Sequence, residues 1–148
     1  MNTTDQSIID ILERTNTIAL VGYSANPDRP AHSVARFLKA RGYRVLPVNP
    51  GLAGQEALGE TIFARISDIG EKVDMVDVFR NSDALPEIVD EILTLNPLPN
   101  VLWTQLNVIH DGAANRARQH GLEVVQNRCP VIEMPRLNIQ GPKENLDT

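Results

Sequence analysis

The sequence predicts an α/β domain, a parallel sheet of about five strands with helices on both faces. Three observations carry this expectation. Short apolar runs of strand length recur along the 148 residues, and segments with helical spacing alternate with them. Runs such as Ile18-Ala19-Leu20-Val21 are apolar throughout, as a strand covered on both faces requires. Glycine and proline stand where elements end, so each unit is punctuated before the next begins.

The first element is an amphipathic helix over Asp5–Arg14, with Ile8, Ile9, Ile11 and Leu12 at its apolar positions. Residues 18–21 form the first strand, closed by Gly22. Ala31, Val34, Ala35 and Leu38 keep helical spacing, and Gly42 stops that helix. Arg44–Val48 is the second strand. A glycine-rich loop follows and ends near a short extended piece at residues 61–64. Residues 73–79 are the third strand. Ser82 suits an N-cap for a helix that carries Leu85, Ile88, Val89, Ile92 and Leu93. Asn96-Pro97 ends it. Residues 101–103 form the fourth strand, and 111–120 a helix stopped by Gly121. Residues 122–125 form the fifth strand.

Such repeated strand–helix units make a single Rossmann-like domain, expected over residues 1–137, with a polar, frayed tail at 138–148. The expected strand order is 3-2-1-4-5. Ligands of such sheets bind outside the carboxyl ends of the strands, at the switch point beside strand one.

The bulk composition narrows the function. A net charge of -5 argues against a dedicated nucleic-acid binder, while leaving room for a local basic pocket. One cysteine, Cys129, excludes an internal disulfide and fits a reducing cytoplasm. No signal-peptide pattern opens the chain, and no apolar run approaches the roughly 20 residues of a membrane span. A cytoplasmic protein with no membrane partner is expected. Its protein partners are open, and it is a monomer or a homodimer.

The most informative segment is the turn after strand one, Gly22-Tyr23-Ser24-Ala25-Asn26-Pro27-Asp28-Arg29-Pro30. Gly22 permits close backbone approach to a ligand. The helix that follows offers unpaired N–H groups to an anion. Ser24 and Ser33 add hydroxyls and Arg29 adds a guanidinium fork suited to phosphate, in a loop that Pro27 and Pro30 stiffen before the helical pattern begins at Ala31. This insertion is longer than the tight G-x-G-x-x-G turn of a dinucleotide enzyme. Strand two ends in Val48-Asn49-Pro50, without the acid that would bond the ribose hydroxyls of NAD. That leaves space for a phosphorylated ribose. Phe79 can cover a base or a ligand arm, and Arg80 can pair with phosphate. Gln105 and Asn107 can bond amides or hydroxyls. Cys129 has no partner base in the sequence around it, so it is read as packing rather than as a nucleophile. No Cys/His cluster has metal-ligand spacing, and no catalytic set is identifiable. Asp74 and Asp77, three apart on one strand, point to opposite faces and are not an acid/base pair.

The blocks Ala19-Leu20-Val21-Gly22, Pro27-Asp28-Arg29-Pro30, Pro47-Val48-Asn49-Pro50, Val76-Asp77-Val78-Phe79-Arg80, Trp103-Thr104-Gln105-Leu106 and Asn127-Arg128-Cys129-Pro130 together resemble the stand-alone CoA-binding domain family. That family is similar to the N-terminal CoA-binding domain of the succinyl-CoA synthetase alpha subunit. The resemblance covers residues 5–137 and implies coenzyme A, or an acyl-CoA, lying across the strand ends. It implies that the Gly22 loop and Ser33 meet phosphates and that Val48, Asn49 and Pro50 border the adenosine. It also implies that Val78, Phe79 and Arg80, with Gln105, Leu106 and Asn107, border the nucleotide and the pantetheine arm. Asn127 stands where family members often carry Asp. The synthetase's second domain, with its phosphorylated histidine, has no counterpart here, so ligase activity is not carried over. The leading expectation is a non-catalytic CoA-binding or sensor module. The alternatives are a small enzyme acting on a CoA thioester or thiol, and a nucleotide-linked oxidoreductase.

Overall fold

The computed structural model of the protein describes residues 3–143; residues 144–148 of the expected tail lie outside the described residues. The chain opens with α1 (Asp5–Arg14), where the Thr4 hydroxyl accepts from the Ser7 N–H and Ser7 reciprocates, a capping box. Then come β1 (Thr17–Val21), α2 (Pro30–Ala40) and β2 (Arg44–Val48). A 3₁₀ turn at Pro50–Leu52 leads to a two-residue antiparallel hairpin, β3 (Glu56–Ala57) and β4 (Glu60–Thr61). A second 3₁₀ turn, Ile66–Asp68, precedes β5 (Met75–Val78), α3 (Leu85–Ile92), β6 (Val101–Thr104), α4 (Asp111–Gln119), β7 (Glu123–Val125) and α5 (Pro130–Arg136).

The five longer strands form one parallel sheet. Alternate residues feed two cores. Ile18, Leu20, Met75, Val101 and Trp103 face α1, α2 and α5, while Ala19, Leu46, Val76 and Leu102 face α3 and α4. The Rossmann-like fold class is therefore as expected, but the strand order differs. It runs β2-β1-β5-β6-β7, so the third long strand joins the far side of β1 instead of extending the sheet beyond β2.

Pro47 supplies a physical reason. Leu20 pairs with Pro47 across β1 and β2, and the Pro47 carbonyl points away from β1, accepting from Phe63 N at 3.0 Å. The missing N–H of Pro47 lies on that same outer edge, which a full ladder could not tolerate. Instead the backbone of the loop meets this edge in an isolated bridge between Phe63 and Val48, where Asn49 N donates back to Phe63 O at 2.9 Å.

Two further differences are local. Ser82 does not cap α3; its hydroxyl donates to Asn107 O at 3.2 Å and accepts from Ile109 N at 2.9 Å, and the residue opens a 3₁₀ turn. The sequence reading also assigned no helix after strand five, where α5 stands. Beyond it, residues 138–143 are docked, not frayed. Ile139 is buried, Arg41 donates to its carbonyl at 3.0 Å, and Lys143 N reaches Glu13 O at 2.7 Å.

Candidate functional site

β2 lies on one side of β1 and β5 on the other, so the chain reverses direction at β1. A crevice must open above the carboxyl ends of β1 and β5. The structure has there a cleft of about 1140 Å³, at or above the upper end of the roughly 300–1,000 Å³ typical of small-ligand sites.

Gly22 is the pivot of this cleft. Its φ of +88° lies in the left-handed region, and a Cβ there would stand 2.6 Å from Phe79 O and 3.2 Å from Arg80 Cδ. Three strand ends thus meet at one residue without a side chain. The N–H groups of Gly22 and Tyr23 both donate to Val48 O, at 3.0 and 3.2 Å. Asn49 donates to Tyr23 O at 2.6 Å and accepts from Gly51 N at 2.8 Å, so both ends of its amide shape the turn. The loop onward is a chain of small turns. Ser24 Oγ accepts from Asn26 N, Asn26 Oδ1 accepts from Asp28 N, and His32 Nδ1–H donates to Ser24 O at 3.0 Å. The loop is therefore braced by its own hydrogen bonds, and it presents Arg29 at the start of α2.

The far wall comes from β6. Gln105 is 6% exposed, lines the cleft, and its Oε1 has no hydrogen-bond partner. An orphaned buried amide oxygen of this kind is a place for a ligand donor. Leu106 and Asn107 follow, the latter at φ +69° and held by its N–H to Asn127 Oδ1 at 2.7 Å. Asn127, itself at φ +61°, thus ties the β6 and β7 loops together.

The sequence-expected residues Gly22, Ser24, Arg29, Pro30, Val48, Asn49, Pro50, Phe79, Arg80, Gln105, Leu106 and Asn107 all line this cleft. Ser33 and Val78 do not. Ser33 Oγ donates to Pro30 O at 3.3 Å, and Val78 is fully buried on the α3/α4 side of the sheet. The sequence reading missed the wall at Ala64, Arg65 and Ile66, which Glu87, Ile88 and Glu91 of α3 complete. Arg29, Arg65 and Arg80 make no ion pair with a carboxylate among the described residues, although the salt bridges elsewhere engage most of the other arginines. Three guanidiniums without a carboxylate partner among the described residues thus border one cleft, and a guanidinium fork is suited to phosphate and carboxylate groups.

Beneath the cleft, on β5, Asp77 is fully buried, and neither carboxylate oxygen has a hydrogen-bond partner. Burial pushes its pKa well above the ordinary carboxylate value. Its neighbours across the ladder are Leu20 and Trp103. Asp74, on the opposite face as expected, accepts from the N–H groups of Asn16 and Thr17 at 3.0 and 2.9 Å.

Residues 16–135 match the family model described as CoA binding domain. The chain belongs to the CoA-binding domain family. An uncharacterized *Bacillus subtilis* protein, YneT, is 34% identical over 128 residues, 86% of this chain and 92% of its own. A solved *Thermus thermophilus* protein is 40% identical, with a TM-score of 0.86 over 91% of this chain and 99% of its own. A hypothetical protein from *Pyrococcus horikoshii* OT3 is 36% identical, with a TM-score of 0.85 over 93% of this chain and 94% of its own. No helix of this CoA-binding domain protein is long and apolar enough to cross a membrane, among the described residues.

Proposed function

We propose that this CoA-binding domain protein holds coenzyme A or an acyl-CoA in the β1/β5 crevice as a non-catalytic binding module. The observation that carries the reading is the cleft at Gly22, flanked by the unpaired Arg29 and Arg80. Close backbone approach and two guanidinium forks suit a diphosphate. The end of β2 supports CoA over NAD, because Asn49 replaces the usual acid and its amide is already engaged.

The non-catalytic part rests on Cys129, which is packed in the core beside the cleft with no histidine hydrogen-bonded to it among the described residues. The bonds that the histidines do make run from Nδ1 to local backbone, at Ser24 O for His32, Arg116 O for His120 and Ala113 N for His110. A nucleophile with a positioned base is the arrangement that thiol or thioester chemistry would call for.

Thermal shift with CoA, acetyl-CoA, NAD and ATP tests the reading. CoA at about 100 times its dissociation constant should stabilise the fold by roughly 2.7 kcal/mol. Stabilisation by NAD with none by CoA would reject it, and turnover of an acyl-CoA would reject the non-catalytic part.

A further inference from the structure

We propose that Arg65 reads the phosphate on the ribose of the bound nucleotide, which for CoA is the 3′-phosphate; the inference rests on the CoA reading above. The position of Arg65 follows from the β2 edge. Phe63 is bridged to Val48, so residues 64 and 65 leave that edge at the carboxyl end of β2. In a Rossmann-like sheet this is where the adenosine ribose lies, and an arginine beside it accommodates a ribose phosphate.

The backbone at this point is held on both sides. Arg65 N donates to Asp68 Oδ2 at 3.2 Å, and Ile66 N donates to Glu91 Oε1 at 3.0 Å. The guanidinium itself has no ion-pair partner among the described residues. Its place in the cleft differs from that of the other two arginines. Arg80 lies against Gly22 and Arg29 begins α2, which puts both at the diphosphate. Among the residues lining the cleft, Arg65 is the cation at the β2 end, on the wall that Glu87 and Glu91 of α3 complete. Those carboxylates disfavour an anion there unless a cation intervenes, and one of them is already bonded to Ile66 N. Asn49 Nδ2 donates to Tyr23 O and its Oδ1 accepts from Gly51 N, and no carboxylate follows β2 to bond ribose hydroxyls. The ribose end is therefore equipped to bind charge rather than a bare diol.

Calorimetric titration of wild type, Arg65→Ala and Arg29→Ala with CoA and with dephospho-CoA tests this. Wild type should bind CoA about tenfold or more tightly than dephospho-CoA. Arg65→Ala should remove that preference by weakening CoA alone, and Arg29→Ala should weaken both ligands in parallel. Arg65 is exposed, so its variant should melt as wild type does. Equal wild-type affinity for the two ligands would overturn the assignment while leaving the CoA reading intact. Equal weakening of both ligands in Arg65→Ala would overturn it too, by making Arg65 a general attractive charge. Binding of neither ligand by wild type would overturn the CoA reading and the assignment with it.

Discussion

Asp77 makes stability depend on pH in a way that one isosteric substitution should erase. Its carboxyl lies in the middle of the sheet between Leu20 and Trp103, with no hydrogen bond to either oxygen. Burial raises its pKa in the folded chain, whereas in the unfolded chain it titrates near the ordinary value of about 3.9. Between those two values the folded state holds one proton that the unfolded state has released. Stability from this group is therefore complete below the unfolded pKa and falls as pH rises toward the folded one. The slope is about -1.36 kcal/mol per pH unit. Asp77→Asn keeps the shape and cannot titrate. Urea unfolding of both proteins at half-unit steps from pH 4.5 upward gives the comparison. Titrations elsewhere, such as that of Asp5 held low by Arg136, are common to both and cancel in the difference. The variant should gain on wild type by about 1.4 kcal/mol for each pH unit while the buried carboxyl stays protonated. Parallel pH profiles would show that Asp77 is not desolvated in the folded protein, and the reasoning would fail.

The remaining predictions concern the cleft and its supports. Arg80→Ala, like Arg29→Ala, should weaken CoA about tenfold with little change in melting, the worth of a charge-assisted hydrogen bond; unchanged affinity in both variants would refute the diphosphate assignment. Gly22→Ala should cost about 2 kcal/mol or more through its left-handed backbone and the approach of Phe79 O; a variant as stable as wild type in urea would contradict the geometry. Cys129→Ser should keep CoA affinity within about twofold, because the thiol packs and supplies no charge to the ligand; calorimetry reads this directly. Truncation after Leu137 should destabilise by roughly 1.5–3 kcal/mol, the worth of burying Ile139, and an unchanged unfolding midpoint would show that the docked segment contributes nothing.

The parts of this fold legible in the sequence are those governed by local periodicity. Asp5–Arg14 and Arg44–Val48 emerge with the expected ends, because capping, apolar spacing and glycine stops act within a few residues. α5 escaped notice for the same reason in reverse. It is seven residues long, carries Pro135 inside it, and buries only Pro130, Glu133 and Met134, too few positions to set a period. Arg65 escaped because its place in the cleft depends on the single bridge between Phe63 and Val48, a tertiary contact with no sequence period. The orphaned Asp77 was visible only as a polar residue in an apolar run, and its lack of partners depends on what packs above and below the sheet.

The strand order shows how a wrong topology can still lead to the right crevice. In either order the chain reverses at strand one, so the turn after it lies at the switch point. What changes is the neighbour. In the expected order strand four would flank that turn and bring Gln105 beside Gly22. In the observed order β5 flanks it, Phe79 N donates to Val21 O at 2.8 Å, and the stem of Arg80 comes to rest over Gly22. The signal that separates the two orders was present in one residue. A proline inside an otherwise apolar strand argues for an edge, and Pro47 on β2 forbids the third strand from continuing outward. Once β2 is an edge, the third long strand must cross to the other side of β1. Arg80 is then carried to the cleft by sheet topology, and Arg29 by the turn that the local sequence encodes.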